Sequence, residues 1–187
     1  MQRRAFVKAA VSIPPVAVLE TFLSAHARGQ APSSPDLHVV GAGEDRFGKT
    51  HSLGFSTLAF KVGTEETAGG LFMIEHRHLT PGGPPLHMHP HQEEWFYVME
   101  GGVVFQVGEK RVELHPGESV LAPRAVPHTF SSLTESSGML IAFCPAGKME
   151  QYFRDAEQHK GIAGSPEFIN RYDMEWIGPS PFWKAKS

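Results

Sequence analysis

The sequence has a single cysteine, Cys144, so no disulfide can form within the chain and a thiolate metal cluster is excluded. It also lacks a basic excess: the formal net charge is −3 at pH 7, and no run of Lys and Arg occurs, which argues against nucleic acid as a partner. A long hydrophobic run is missing too. Pro14, Pro15 and Glu20 interrupt residues 9–23, which are fewer than the roughly 20 apolar residues that a membrane-spanning helix needs. The 187 residues, of which 41% are hydrophobic, suffice for one domain.

Residues 1–27 have the pattern of a cleavable export signal. A basic start is followed by an apolar stretch and by the small-x-small sequence Ala25-His26-Ala27, which predicts cleavage after Ala27. The pair Arg3-Arg4, followed by Phe6 and Lys8, resembles the twin-arginine export motif. We therefore expect a periplasmic or secreted protein that keeps no stable membrane anchor after cleavage.

After a polar linker at residues 28–40, residues 41–147 alternate short apolar runs with turn signals. Strands are expected at 54–62, 71–78, 95–100, 103–107, 111–114, 119–122 and 139–144. Short strands at this spacing, with no helical pattern between them, predict an all-β fold, either a barrel or a jelly roll.

Residues 148–187 are expected to form a C-terminal helix and a tail that pack on the barrel. Within 148–160, apolar residues recur at helical spacing, at Met149, Tyr152, Phe153 and Ala156. The aromatic residues of the tail either cover apolar surface or form a subunit contact, as in a homodimer; they are Trp176, Phe182 and Trp183.

Four residues form a candidate metal site. His87 and His89 stand at i and i+2, so both rings leave the same face of an extended strand. Glu94 follows five residues after His89 and would supply a negative charge, and His128 precedes a further strand. If the strand register were shifted by one, Glu93 would be the carboxylate ligand instead. His91 is expected to be exposed or to support a ligand rather than to be one.

These residues resemble the two sequence motifs of the cupin family. In the first motif, Gly82 stands one place from the usual glycine; in the second, Ala125 replaces a glycine and Ser132 an asparagine. The positions that match are His87, His89, Glu94 and Gly101, then Gly117, Pro123 and His128. The resemblance covers about residues 41–147. It implies a small double-stranded β-helix that holds one divalent transition metal, namely Fe, Mn, Ni, Co, Cu or Zn.

Residues 171–179 also resemble the tails of flavonol-dioxygenase-like cupins. That resemblance implies a dioxygenase of a small phenolic or enolic substrate, in which Glu94 is both ligand and general base. A non-oxidative isomerase, lyase or decarboxylase is an alternative, as is a non-catalytic binder of a small ligand such as a sugar.

The substrate pocket is expected to lie beside the ligands. Phe96 is in phase with Glu94 on its strand, and inward neighbours are expected at Phe105, Phe130 and Phe143. His76 and His78 share a face of the strand at 71–78 and would line the pocket mouth or be solvated. Either histidine is a candidate proton donor for non-oxidative chemistry.

Overall fold

The computed structural model describes residues 37–183. The predicted export signal at residues 1–27 and most of the predicted linker lie outside this range. Within it, no helix is both long enough and apolar enough to cross a bilayer.

Two antiparallel sheets make up the body of the protein. In chain order the strands are β1 (His51–Ser52), β2 (Thr57–Val62), β3 (Phe72–Leu79), β4 (Leu86–Met88), β5 (Glu93–Glu100), β6 (Val103–Val107), β7 (Lys110–Leu114), β8 (Ser119–Ala122), β9 (His128–Ser132), β10 (Ser137–Cys144) and β11 (Glu175–Gly178). The first sheet has the order β1-β2-β3-β10-β5-β8, and the second has the order β11-β4-β9-β6-β7. The predicted all-β jelly roll is confirmed, and each predicted run coincides with a strand, although several bounds shift.

Aromatic side chains from both sheets meet in the core. The Phe96 ring of the first sheet lies 4.9 Å from the Phe105 ring and 5.7 Å from the Phe130 ring of the second, measured between centroids. All three residues are buried. In a small barrel, inward-facing side chains of this kind fill much of the interior.

The predicted C-terminal helix is present as α1 (Met149–Gln158), and a short helix, α2 (Pro166–Ile169), follows it. Met149, Phe153 and Ala156 of α1 are buried in the main core cluster, as the helical spacing of these residues predicts. The tail then adds a strand that the sequence did not predict. β11 pairs with β4 and places Trp176 beside His87.

The loop before β4 lies directly against β9. The Thr129 hydroxyl donates to the Pro84 carbonyl oxygen (2.7 Å), and the Gly82 amide donates to the Ser131 hydroxyl (3.0 Å). Gly83 has a positive φ of 71°, and a Cβ there would overlap the carbonyl oxygen of Phe130. Only glycine therefore fits at this position.

We expect Gly83→Ala to lower the free energy of unfolding by more than about 3 kcal/mol, because the methyl group must displace backbone atoms of β9. Chemical denaturation measures the loss. Gly161→Ala is the matched control, since no heavy atom of residues 37–183 lies within 4 Å of its added Cβ and its φ is not positive. Its stability should stay within about 1 kcal/mol of wild type. Equal stability of the two variants would contradict the described loop contact.

Candidate metal centre

The His-x-His segment forms β4 and the residue after it. Side chains alternate along an extended segment, and here His87 and His89 are buried while Met88 between them is partly exposed. Glu94 on β5 and His128 at the start of β9 are buried as well. One potential ligand atom from each of these four residues lies within 4.8 Å of the other three. The structure thus brings together the whole predicted ligand set.

The site lies between the two sheets. His87 and His128 are direct cross-strand partners in the second sheet, whereas Glu94 belongs to the first sheet, opposite Phe143 and Ala122. One oxygen of Glu94, Oε2, lies 3.0 Å from Nε2 of His89 and 2.8 Å from Nε2 of His128. A cation bound here would touch residues of both sheets.

An acceptor lies within hydrogen-bond distance of Nδ1 in each of the three histidine rings. For His87 it is the Pro85 carbonyl oxygen (2.9 Å), and for His128 it is the Val126 carbonyl oxygen (2.9 Å). For His89 it is the side-chain oxygen of Gln92 (3.1 Å). An acceptor at Nδ1 selects the Nδ1–H tautomer, so that the Nε2 lone pair is free to bind a metal.

Gln92 is a positioning residue that the sequence analysis missed. Its side-chain amide donates to the carbonyl oxygens of Pro145 (2.9 Å) and Ala146 (2.7 Å). Because both donors are occupied, the amide oxygen must face His89. Gln92 lies two residues before Glu94, in phase with it on an extended chain, and this alternation could have identified it as an inward-facing residue.

The neighbouring acidic residue, Glu93, points out of the barrel and forms an ion pair with Arg124. The alternative in which Glu93 is the carboxylate ligand is therefore wrong. His91 is exposed.

The electrostatics of the site suit a divalent cation. Burial alone would raise the pKa of Glu94, but when Nε2 of the adjacent His128 and His89 rings carries a proton, donation and positive charge from these rings outweigh burial and hold the pKa well below its usual range. A metal cation in place of those protons would act in the same direction. Burial, helped by the neighbouring His128 and His89 rings, lowers the pKa of His87 to about 3.

The donor atoms fit a metal ion as well. Nε2 of His89 is buried and has no hydrogen-bond partner within the described range, although a Glu94 oxygen is near. Nε2 of His128 shares that oxygen, and its Nδ1 already faces an acceptor. A cation between the rings and the carboxylate satisfies all of these atoms. Three imidazoles and one carboxylate are a ligand set that binds first-row divalent metals.

A cavity of about 230 Å³ opens beside the ligands His87 and Glu94. Of the predicted pocket residues, the structure places His76, Phe130 and Phe143 on its wall. The sequence analysis missed the contribution of the C-terminal segment, which supplies a further part of the wall, including Met149, Tyr152, Phe153, Lys160 and Trp183.

Three predicted pocket residues lie elsewhere. Phe96 and Phe105 pack against each other in the core and do not line the cavity, because a narrow barrel uses most inward side chains as filling. His78 is exposed, with its ring 3.1 Å from the Thr57 hydroxyl. Its φ of 52° interrupts the strand alternation, so it does not share the face of His76. Of the two alternatives for His78, the pocket mouth is therefore wrong and the solvated position is the one that the structure has.

Comparison with protein-family models matches one segment of the chain. Residues 75–144 match the family model described as the cupin domain. No curated protein matches the chain significantly. An RmlC-like cupin from Shewanella frigidimarina superposes with a TM-score of 0.50 at 18% identity, over 59% of this chain and 92% of the other.

Two further solved structures align less well. KdgF from a Halomonas species has a TM-score of 0.47 at 18% identity, over 52% of this chain and 87% of its own. A protein described as a predicted oxalate decarboxylase, from Thermotoga maritima, has a TM-score of 0.45 at 19% identity, over 48% of this chain and 80% of its own. The likeness to the Shewanella protein, at 18% identity, shows the fold alone, so the activity has to be argued from the site.

Replacing Glu94 with Gln should lower the affinity for a divalent metal by at least about 100-fold, because the only carboxylate in the ligand set is lost. Elemental analysis after dialysis, followed by competition titration with a chelator, measures the change. Glu93→Gln is the matched control and should stay within about threefold of wild type, since that side chain faces solvent. Full metal occupancy in Glu94→Gln would overturn the assignment.

Replacing Gln92 with Met should weaken metal binding by about 10- to 100-fold, because the His89 ring loses the acceptor that fixes its tautomer. The same titration, performed on protein shown by circular dichroism to be folded, reports the effect. His91→Gln serves as the control, since the His91 ring is exposed and is not part of the ligand set. An unchanged affinity in Gln92→Met would show that His89 needs no such support.

Proposed function

We propose that this protein is a metal-dependent cupin enzyme, a dioxygenase that acts on a small phenolic or enolic substrate. One observation carries the proposal: four buried candidate ligands lie together, and two of them, His87 and Glu94, line a mostly apolar cavity. The sequence resemblance of residues 171–179 to flavonol-dioxygenase-like proteins supports the oxidative chemistry. The cavity itself supports the kind of substrate.

The cavity wall is mostly apolar. Phe130, Ile141 and Phe143 come from the strands, and Tyr152 and Phe153 come from α1. A sugar would bury hydroxyl groups against these side chains without hydrogen-bond partners, at a cost of a few kcal/mol for each group. A flat aromatic ring has few polar groups to bury against this wall, so this cost is small for it. The volume of about 230 Å³ is below the range of roughly 300–1,000 Å³ that is usual for ligand pockets. We therefore expect a single-ring compound rather than a larger polycyclic one.

In this proposal His87, His89, Glu94 and His128 hold the metal ion. When bound, the ion supplies Lewis acidity and, if it is redox-active, a path for electrons to dioxygen. The depressed pKa of Glu94 keeps the carboxylate ionised at neutral pH, as a metal ligand must be. Its second role in this proposal, as acceptor of the proton of a substrate hydroxyl, follows from the resemblance to flavonol dioxygenases. The apolar wall excludes water from the ionised substrate and so strengthens its electrostatic attraction to the site.

A second candidate function is a non-oxidative isomerase, lyase or decarboxylase. Such chemistry needs a further polar group in the cavity, and His76 lies on the cavity wall. In that case the metal would act only as a Lewis acid, and turnover would not require oxygen.

We also propose that the protein is exported already folded, because residues 1–27 resemble a twin-arginine signal. By this route the metal would be bound before export. Imidazole and carboxylate ligands favour copper and zinc over manganese and iron by intrinsic affinity. Loading in the cytoplasm would protect the site from copper and zinc outside.

Oxygen uptake tests the proposal. The metal-loaded protein should consume dioxygen in the presence of at least one member of a panel of single-ring phenols and enolic hydroxyketones. Glu94→Gln should slow uptake by at least about 100-fold, because both a ligand and the proton acceptor are lost. Glu93→Gln should retain the wild-type rate. Substrate turnover that persists without oxygen would favour the non-oxidative alternative, and stabilisation without turnover would favour a binding protein.

A further inference from the structure

His76 is a buried polar side chain that the metal centre does not use. It lies on β3, it is 1% exposed, and it lines the same cavity as His87 and Glu94. Its Nδ1 is 3.1 Å from the hydroxyl oxygen of Ser56, which is also buried. Its Nε2 is buried and has no hydrogen-bond partner anywhere in residues 37–183.

The hydrogen-bonding needs of Ser56 decide the tautomer of His76. If Nδ1 carried the proton, the buried Ser56 hydroxyl hydrogen and the Nε2 lone pair would both lack a partner. If Ser56 donates to Nδ1, the hydroxyl hydrogen is satisfied and the proton of the ring is on Nε2. The second arrangement leaves fewer buried polar groups unpaired and is therefore favoured. The Nε2–H group of this cavity-lining ring is then left without a partner among the described residues.

The ring is neutral and held in place. Burial lowers the pKa of His76 to about 3, so the ring carries no charge at physiological pH. The rings of Phe130 and Phe153 lie edge to face with it, at 6.1 Å and 6.3 Å between centroids. His76 can therefore offer a directed hydrogen bond, whereas it cannot offer a full positive charge.

We propose that Ser56 and His76 form a substrate-recognition pair, in which Nε2–H of His76 donates a hydrogen bond to a second oxygen of the substrate. This proposal rests on the proposed function, because the first oxygen of the substrate is the one bound at the metal centre. The substrate class is thereby narrowed to a single-ring phenol or enol that also carries a carbonyl or carboxylate oxygen. His76 is a specificity-determining residue under either oxidative or non-oxidative chemistry.

A purely structural role for the pair makes a different prediction. An unpaired N–H buried in an apolar wall destabilises the free protein, and such groups are retained where a ligand pairs with them. Removing the pair should then leave the fold at least as stable as before. If instead the Ser56–His76 hydrogen bond held β2 and β3 together, its removal would lower the melting temperature.

The first experiment is thermal unfolding of the ligand-free double variant Ser56→Ala/His76→Phe, together with its metal content. We expect a melting temperature at or above that of wild type and the same metal content as wild type. A clear decrease in the melting temperature would support the structural role and overturn the proposal. His76→Gln alone is the conservative variant, since its amide keeps a donor close to the position of Nε2.

The second experiment compares phenol with the three isomers of hydroxybenzaldehyde as probes of the metal-loaded proteins, by calorimetry. Wild type should bind at least one isomer about tenfold or more tighter than phenol, which is the discrimination expected of a site built to hydrogen-bond an oxygen. Ser56→Ala/His76→Phe should lose this preference while its affinity for phenol changes little, and His76→Gln should retain part of it. Absence of any preference in wild type, or its persistence in the double variant, would overturn the proposal.

The failure of this inference is distinguishable from the failure of the proposed function. If wild type takes up no metal, the proposed function fails whatever the probes do. If metal is bound and oxygen is consumed with phenols but His76 has no effect on the preference, only the recognition pair is disproved.

Discussion

The burial of one carboxylate among three imidazoles is the constraint on which the rest of the structure depends. Taking a charged carboxylate out of water costs several kcal/mol unless a cation or hydrogen-bond donors compensate. Glu94 is buried, and the polar atoms nearest to it are the Nε2 atoms of His89 and His128. Both rings already have an acceptor at Nδ1. One cation bound between their Nε2 atoms and Glu94 would therefore compensate the buried carboxylate and both lone pairs at once. A divalent metal would therefore couple its binding to the stability of the fold.

This constraint explains several features outside the ligand set. β4 is only three residues long, too short to be a stable strand by itself. It is held by β9 on one side and by β11 on the other, and Gly83 allows the loop before it to lie against β9. Gln92 ties the His89 ring to the carbonyl groups before α1. Each of these contacts restricts the position of one histidine.

The spacing of residues along the chain was enough to predict the ligand set. The features that the sequence analysis missed, such as the cavity wall and β11, depend mostly on packing between segments far apart in the chain. Alternation along β5 predicted that Glu94 and Glu93 face opposite sides of the strand, but the register that makes Glu94 the inward residue was settled only by the structure. The same alternation could not tell that Phe96 fills the core instead of lining the cavity, because that depends on where the second sheet and α1 pack. It also failed at His78, where a positive φ turns the side chain outward.

β11 pairs with a strand almost 90 residues earlier, and four residues carry no periodicity that could predict it. Ala125, by contrast, departs from the cupin motif but keeps the turn, since it adopts a φ of 56° and its amide donates to the His89 carbonyl oxygen.

The candidate metal ligands and much of the cavity wall come from different parts of the chain, and this separation has a consequence for the shape of the cavity. All four ligands lie on or next to strands of the barrel, between residues 87 and 128. A large part of the wall comes instead from α1 and the segment after it, including Met149, Phe153 and Trp183. Trp183 reaches back to the barrel, where its indole N–H donates to the Gly83 carbonyl oxygen (3.1 Å). A change in the C-terminal segment can therefore reshape the cavity without moving any of the four candidate ligands, which the barrel alone positions.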